Sequence, residues 1–337
     1  MKQVTFAPRH HQLTNINTWT PDSQWLVFDV RPSGASFTGE TIERVNVNSG
    51  TVETIYRATQ GAHVGVVTVH PTQERYVFIH GPERPDAQWQ YDFHHRRGVV
   101  AFQGAVENLD AMDITPPYTP GALRGGSHVH VYSPNGQFVS FTYNDHVLHE
   151  RDPALDLRNV GVAAPYGPVT PQGQHPREYG GSHWCVLVSR TTPAPAPGSD
   201  EINRAYEEGW VGNHTLAFIG DTLAENGDKV PELFIVDLPQ DEAGWKQPGG
   251  GAAGRYRNHN AGAAGGRQPA SFDLHPPSPL LGTGERPAPL GARQSPGDGD
   301  SLSDARRRRR SAAVAYFPAG GRAAAVDASR VGYPVGV

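Results

Sequence analysis

A short pattern that occurs three times along the chain constrains its fold more than any other feature. Three segments align without gaps: TWTPDSQWLVFDV (residues 18–30), TVHPTQERYVFIH (residues 68–80) and VYSPNGQFVSFTY (residues 131–143). In each segment a proline is followed seven residues later by a phenylalanine. Proline with Asp, Asn, Ser or Gly builds tight turns, and β-branched and aromatic residues favour strands. The pattern therefore predicts a repeated unit of strand, turn and strand.

Neighbouring segments extend this unit. Residues 43–56 contain Asn48-Ser49-Gly50, a sequence typical of a hairpin turn. A degenerate fourth unit is visible in TLAFIGD (residues 215–221) and ELFIVDL (residues 232–238). The aligned segments start 50 and 63 residues apart, which suits four-stranded propeller blades with insertions. We predict an all-β chain with about four blades in residues 1–247. The alternative is an irregular β-sandwich, in which gapless repeats are not expected.

The same residues carry a resemblance to a known family. The segment SPNGQFVSF (residues 133–141), the N-terminal HHQLTN (residues 10–15) and the unit spacing resemble TolB-like β-propellers, and in particular the enterobacterial YidR family. The resemblance covers residues 1 to about 247 and implies an array of six or seven blades, without implying an activity. A weaker resemblance links residues 63–83 to oligogalacturonate lyases, propellers that hold a divalent metal with His and Gln. No metal or catalytic residue of those lyases can be matched one for one in this sequence.

The charge of the chain differs between its two parts. Residues 1–247 carry 17 Lys and Arg against 28 Asp and Glu, whereas residues 248–337 carry 12 Arg, no Lys and 6 acidic residues. An acidic body disfavours nucleic acid as a partner. The single cysteine, Cys185, cannot form an internal disulfide. Without an apolar signal or membrane segment in the sequence, we expect a cytoplasmic protein that does not bind membranes.

The texture of the sequence changes at about Gly249. Strand periodicity stops there, and Gly, Ala, Pro and Arg dominate residues 248–337, which we expect to be irregular or disordered. One interpretation is a basic disordered arm. The interpretation that we favour is a frameshift near Gly249–Gly251, because back-translation of residues 284–321, read one nucleotide later, permits a segment with the proline–phenylalanine spacing. In that case this chain is truncated and without function.

Histidines in a repeated context form the candidate site. His63, His128 and His183 each follow a Gly-Ala or Gly-Ser pair beside an apolar strand segment, and His130 lies two residues after His128. If these strands are the innermost strands of blades, their side chains converge on the propeller axis, and His128 and His130 share a face. We predict a ligand site at these four histidines, with a divalent metal such as Mn or Zn on His128, His130 and His183. The alternative is a water channel lined by histidines that has no chemistry.

An insertion supplies further candidate residues. The segment PGSDEINRAYEEGW (residues 197–210) predicts a short helix capped by Ser199, with Glu201, Arg204, Glu207 and Glu208 on roughly one face. Folded over the channel, Glu201, Arg204 and Glu207 would join the ligand site, whereas the alternative is a solvated surface helix. Four other histidines lie in charged segments and are assigned no role: His94, His95, His146 and His149.

Two functions fit this set of residues. The first is a binding protein whose channel mouth holds a small polar ligand or a protein partner. The alternative is a metal-dependent lyase or hydrolase acting on acidic oligosaccharides, since β-elimination beside a uronate requires a metal and a base. The histidines would supply the metal ligands, but no base and no other catalytic residue is identified in the sequence.

Overall fold

The computed structural model describes residues 1–14 and 16–247, which form an almost entirely β fold of four antiparallel sheets. Strands consecutive in the chain build each sheet. The first sheet contains, in spatial order, β1 (Trp25–Asp29), β2 (Thr41–Asn46) and β3 (Val52–Arg57). The second contains β4 (Val64–Val69), β5 (Arg75–His80), β6 (Arg97–Phe102) and β7 (Ala105–Asn108). The third contains β8 (Gly125–Tyr132), β9 (Val139–Asp145), β10 (Asn159–Ala164) and β11 (Trp184–Leu187). The fourth contains β12 (Ala205–Trp210), β13 (Thr215–Leu223) and β14 (Lys229–Asp237).

Short helices follow two of the strands. Helix α1 (His146–Arg151) comes directly after β9, and its N-cap residue Asp145 accepts a hydrogen bond of 2.8 Å from the backbone N–H of Leu148. Helix α2 (Glu242–Lys246) comes after β14 and buries Trp245. Within the described residues, neither helix has the length and apolarity that crossing a bilayer requires.

The proline–phenylalanine repeat adopts the predicted conformation. The turns that begin at Pro71 and Pro134 connect β4 to β5 and β8 to β9, and both pairs are antiparallel. The repeated phenylalanines are buried in the core: Phe28, Phe78 and Phe141. The strand–turn–strand prediction is therefore confirmed for the second and third segments, whereas in the first segment Trp19 forms only an isolated bridge with Leu26 before β1. The all-β class is confirmed.

The other predicted strands also form. The Asn48-Ser49-Gly50 turn connects β2 to β3, and Gly50 has the positive φ of 76° that glycine adopts without strain. The degenerate fourth unit forms β13 and β14, which pair from Thr215 with Asp237 to Leu223 with Lys229.

Apolar layers join the four sheets in chain order. Side chains of the first and second sheets, including Val27 and Phe78, form one layer. Val77 and Phe141 belong to a second layer, between the second and third sheets. The third layer, around Trp245, joins the third and fourth sheets. The strand that begins each later sheet (β4, β8 and β12) contacts the preceding sheet, and we call these three the leading strands.

Each leading strand carries a bulge in which a residue other than glycine takes a positive φ. The residues are Val66, Val129 and Glu207, with φ of 58°, 53° and 54°. A positive φ is strained for the β-branched residues Val66 and Val129, so the surrounding structure must hold them in this conformation. Bulges redirect the side chains beside them. The bulges therefore set the side-chain directions of His128, which adjoins Val129, and of Glu208, which adjoins Glu207.

The predicted helix over residues 200–210 is wrong. Residues 205–210 form β12, which pairs with β13 from Ala205 with Gly220 to Trp210 with Leu216. Ser199 does not cap a helix: its hydroxyl donates to the carbonyl of Ala196 and accepts from the N–H of Glu201, closing a tight turn. Pairing with β13 satisfies the backbone of this segment and overrides the local helical pattern.

The predictions for residues 248–337, an irregular tail and a shifted reading frame, lie outside the described residues. The domain boundary that we predict at residue 247 therefore remains a prediction.

Candidate functional site

Arginine side chains from two segments converge on one aromatic ring. Phe93 lies in the loop before β6, and its ring centre is 5.0 Å from the guanidinium carbon of Arg96 and 5.5 Å from that of Arg158. Phe93 is 53% exposed, so this ring lies at the surface. His128 of β8 interacts electrostatically with both arginines, and Glu208 of β12 interacts with Arg158. We call Arg96, His128, Arg158 and Glu208 the polar centre.

Arg96 is the most unusual member of the polar centre, because its guanidinium is buried without a carboxylate partner. The residue is 2% exposed. Its Nη1 donates a hydrogen bond of 2.9 Å to the hydroxyl of Tyr91, whereas Nε and Nη2 are buried and have no hydrogen-bond partner. Burial lowers the pKa of Arg96 to about 10, so the side chain keeps its charge at neutral pH. A buried charge without a partner is costly, so the unpaired Nε and Nη2 of this guanidinium, which form its free edge, require an explanation.

The positive charges of the polar centre also act on His128. Burial, followed by Arg96 and Arg158, holds the pKa of His128 well below its usual range. Its Nδ1 lies 3.3 Å from the hydroxyl oxygen of Thr142 on β9. His128 is therefore a neutral imidazole beside two guanidinium groups.

Glu208 contributes a carboxyl group that is neutral at physiological pH. Burial raises its pKa to about 8, against the opposing effect of Arg158, and its Oε1 is buried without a hydrogen-bond partner. A neutral carboxyl group donates one hydrogen bond. With neutral Glu208 and neutral His128, the net charge of the polar centre comes from its two arginines.

His130 does not share the surroundings of His128, although the two residues are two positions apart. The bulge at Val129 breaks the alternation on which the shared-face prediction rested, and the register of β8 shifts between His128 and Val131. His130 is fully buried, and its Nε2 lies 2.9 Å from the hydroxyl oxygen of Ser127. That hydroxyl donates to the buried carboxyl of Asp110, which also accepts from the N–H of Gly98. The network links the second and third sheets.

The three predicted metal ligands are not brought together. His128 and His130 lie on β8 at one edge of the third sheet, whereas His183 immediately precedes β11 at the opposite edge. Three strand spacings separate the two edges, about 14 Å. The Nδ1 of His183 lies 2.9 Å from the hydroxyl oxygen of its neighbour Ser182. The prediction treated the sequence before His183 as equivalent to that before His128, but the two contexts lead into different strands of one sheet.

The remaining residues of the predicted ligand site are Arg204, Glu207, Glu201 and His63. Arg204 is exposed above the ring of Tyr206 and interacts electrostatically with Arg158. Glu207 is exposed at the bulge of β12. Glu201 accepts a hydrogen bond from the N–H of Ala196 in the turn before β12. His63 is half-buried, and its Nδ1 has no hydrogen-bond partner.

Arg96 and Arg158 were not predicted as site residues, whereas Glu208 was predicted only as a neighbour of Glu207 on one face of a helix. Arg96 looked like part of an exposed basic loop, and no local pattern shows that Gly126 of β8 lies against that loop. Glu208 would have been selected as a ligand residue if the segment had been interpreted as a bulged strand instead of a helix.

Comparisons with known proteins extend this description. Residues 63–179 match a family described as "Protein of unknown function (DUF3748)". Among solved structures, a puromycin-hydrolyzing peptidase of Mycobacterium tuberculosis is similar with a TM-score of 0.37 at 14% identity, covering 64% of this chain and 26% of that one. A GH43 endo-arabinanase from Bacillus licheniformis is similar with a TM-score of 0.30 at 14% identity, covering 66% of this chain and 71% of that one. Similarities of this size carry no conclusion about activity.

A curated relative is far more similar. The protein "Uncharacterized protein YidR" of Escherichia coli (strain K12) is 81% identical over 249 residues, which are 74% of this chain and 60% of the relative. The chain therefore spans about three fifths of the length of this relative. Over those 249 residues, it is a close homologue of the Escherichia coli protein YidR.

Proposed function

We propose that residues 1–247 are part of a TolB-like β-propeller that binds a small carboxylate ligand at the polar centre. Support for the propeller comes from four antiparallel sheets of consecutive strands, each packed on the preceding sheet through its leading strand. The repeated bulge in the three leading strands supports the same architecture, because equivalent positions carry equivalent distortions.

The observation that carries the ligand proposal is the free edge of Arg96. Nε and Nη2 lie on the same side of a guanidinium group, and both are buried without a partner. This edge matches the two oxygens of a carboxylate, which it binds through two parallel hydrogen bonds. Arg158 supplies a second positive charge above the same ring, and protonated Glu208 supplies a hydrogen-bond donor.

The alternative function, a metal-dependent lyase or hydrolase acting on acidic oligosaccharides, lacks comparable support. It required a metal on His128, His130 and His183, and the strand order keeps His183 at the far edge of the third sheet. We therefore favour binding over catalysis at the polar centre.

Substitution of Arg96 tests the proposal. The probe is malonate, titrated calorimetrically into the full-length chain. We expect Arg96→Met to weaken malonate binding about 10- to 150-fold, because hydrogen bonds to charged groups are worth about 1.5–3 kcal/mol. Arg57→Met, at the exposed end of β3, is the matched control and should leave the affinity unchanged. An unchanged affinity in Arg96→Met, or no binding by the unsubstituted chain, would refute the proposal.

The pH dependence of binding provides a second test. Arg158 is the charged group that faces Glu208 from another element, and Arg204 and Glu207 flank it on its own segment. Because the pKa of Glu208 is about 8, its carboxyl group ionises as the pH rises through that value and then repels the ligand. Malonate remains fully ionised from pH 7 to 9, and we expect its affinity to fall about tenfold over that range. Glu208→Gln keeps a donor without a titrating group, so its affinity should stay constant. A fall of equal size in Glu208→Gln would assign the titration to another group.

We also propose that residues 248–337 are translated from a shifted frame, which would leave the polar centre intact because its four residues all lie within residues 1–247. The alignment with the Escherichia coli relative is 249 residues long, close to the length of chain before the change in sequence texture. Sequencing of the gene tests this. Reading one nucleotide later from codons 249–251 should extend the similarity to the relative. A homologue that encodes the same Arg306–Arg310 run would contradict the shifted frame.

A further inference from the structure

A cluster of histidines beside the polar centre forms a second site, which shares no residue with it. One ring nitrogen from each of His94, His95 and His146 lies within 4.8 Å of the other two. His94 and His95 lie in the loop before β6 and are 4% and 8% exposed, and His146 is the half-buried first residue of α1. The loop and the helix are far apart in the sequence, so the fold itself assembles this group.

The orientation of His95 is that of a metal-binding histidine. Its Nδ1 lies 2.7 Å from the carbonyl oxygen of Gln90, and because a carbonyl only accepts, Nδ1 carries the proton. The lone pair of the neutral ring is therefore on Nε2, which is 3.1 Å from Nδ1 of His146. Metal-ligating histidines almost always donate their second ring N–H in this way, which fixes the tautomer and the ring. Trp89 stacks on the His95 ring with 3.8 Å between ring centres and holds its plane.

The backbone positions of the three histidines are also fixed. The side chain of Asp145 caps α1 and forms an ion pair with Arg124, which holds the first residue of the helix in place. On the other side, Gly126 of β8 approaches the backbone of residues 93–96 so closely that an added Cβ would lie 2.3 Å from the carbonyl oxygen of Phe93. A rigid backbone allows three ring nitrogens to remain near one point without a ligand.

Ligand distances fit an ion of the first transition series. Two nitrogens bound to a tetrahedral zinc ion at about 2.0–2.1 Å are about 3.4 Å apart. The observed limit of 4.8 Å therefore requires ring movements of less than about 1 Å to bring all three nitrogens onto an ion. Three imidazoles favour zinc and its neighbours over magnesium or calcium, which prefer oxygen ligands. We infer that His94, His95 and His146 bind a zinc ion.

A carboxylate adjoins the cluster. One nitrogen of His94, one of His149 and a carboxylate oxygen of Asp156 also lie within 4.8 Å of one another. The Nδ1 of His149 is 3.4 Å from Oδ2 of Asp156, and the rings of His94 and His149 stack with 3.9 Å between their centres. His94 thus belongs to both groups, and the experiment must distinguish them.

Metal titration of the full-length chain tests the zinc site. After chelator treatment and removal of the chelator, zinc chloride is added in a calorimeter, and cobalt(II) serves as a spectroscopic probe of coordination. We expect one zinc ion per chain and intense visible absorption with cobalt, as in four-coordinate sites. His95→Ala and His146→Ala should each weaken zinc binding by more than the roughly 10- to 100-fold that loss of a ligand's hydrogen-bond partner costs. His146 lies on a helix without buried residues, so its variant provides the test if His95→Ala fails to fold.

His175→Ala is the matched control. The ring of His175 is 6.0 Å from that of Trp89, but His175 belongs to neither histidine group, and its variant should bind zinc like the unsubstituted chain. Three results would overturn the assignment. The first is the absence of stoichiometric zinc binding, in which case His95 and His146 are only hydrogen-bonded to each other. The second is unchanged affinity in His146→Ala. The third is loss of zinc in His149→Ala but not in His146→Ala, which would move the ion to His149 and Asp156.

Discussion

Replacing Phe141 with alanine is expected to lower the free energy of unfolding by about 3–5 kcal/mol, the usual cost of removing a fully buried phenylalanine ring. Phe141 is 0% exposed and lies in the apolar layer between the second and third sheets. Gly161 on β10 leaves room for this ring, since a Cβ there would lie 2.4 Å from it. Alanine would therefore leave a cavity that a rigid strand cannot fill. Urea unfolding followed by tryptophan fluorescence measures the change.

Phe6→Ala provides the comparison for this prediction. The Phe6 side chain is 74% exposed, so its removal should change the free energy of unfolding by less than about 0.5 kcal/mol. Because whole domains are stable by only about 5–15 kcal/mol, the two variants should differ clearly in their urea midpoints. A loss below about 1 kcal/mol in Phe141→Ala would mean that the second apolar layer does not hold the sheets together.

The repeat containing Phe141 also shows which features the sequence could predict. A proline turn followed by alternating β-branched and aromatic residues is a local signal, and the second and third units became strand, turn and strand, whereas the first became a turn followed by β1. The hairpin at Asn48 is equally local. The segment around Glu207 carried a local helical signal that was wrong, because pairing with β13 satisfied its backbone in a different conformation.

The candidate sites depend on contacts that no local pattern encodes. His128 and His183 follow the same Gly-Ser pair, yet one lies within a leading strand and the other before an edge strand of the same sheet. His95 and His146 are 51 positions apart in the chain and lie 3.1 Å apart in space.

Gly126 lies against the loop that carries residues of both proposed sites. We expect Gly126→Ala to lower the stability of the fold, zinc binding and malonate binding together. An alanine Cβ at this position of β8 would lie 2.3 Å from the carbonyl oxygen of Phe93 and 3.0 Å from the backbone nitrogen of Arg96. These neighbours are backbone atoms, so the loop that carries His94 and Arg96 has to move. Overpacking of this kind costs about 1–3 kcal/mol of stability. We expect the same variant to weaken both zinc and malonate binding, with the loss for malonate at least about tenfold, equivalent to about 1.4 kcal/mol.

Gly34→Ala separates this effect from the general consequences of replacing a glycine. An added Cβ at Gly34 meets no atom within 4 Å, and its φ is not positive, so this variant should match or exceed the unsubstituted chain in stability by up to about 1 kcal/mol. Its zinc and malonate affinities should be unchanged. Three measurements on each variant, a urea midpoint and two titrations, show whether the effect is specific to Gly126. If Gly126→Ala loses stability but keeps both affinities, the loop of residues 93–96 does not position the ligands, and the argument that a rigid backbone assembles the two sites fails.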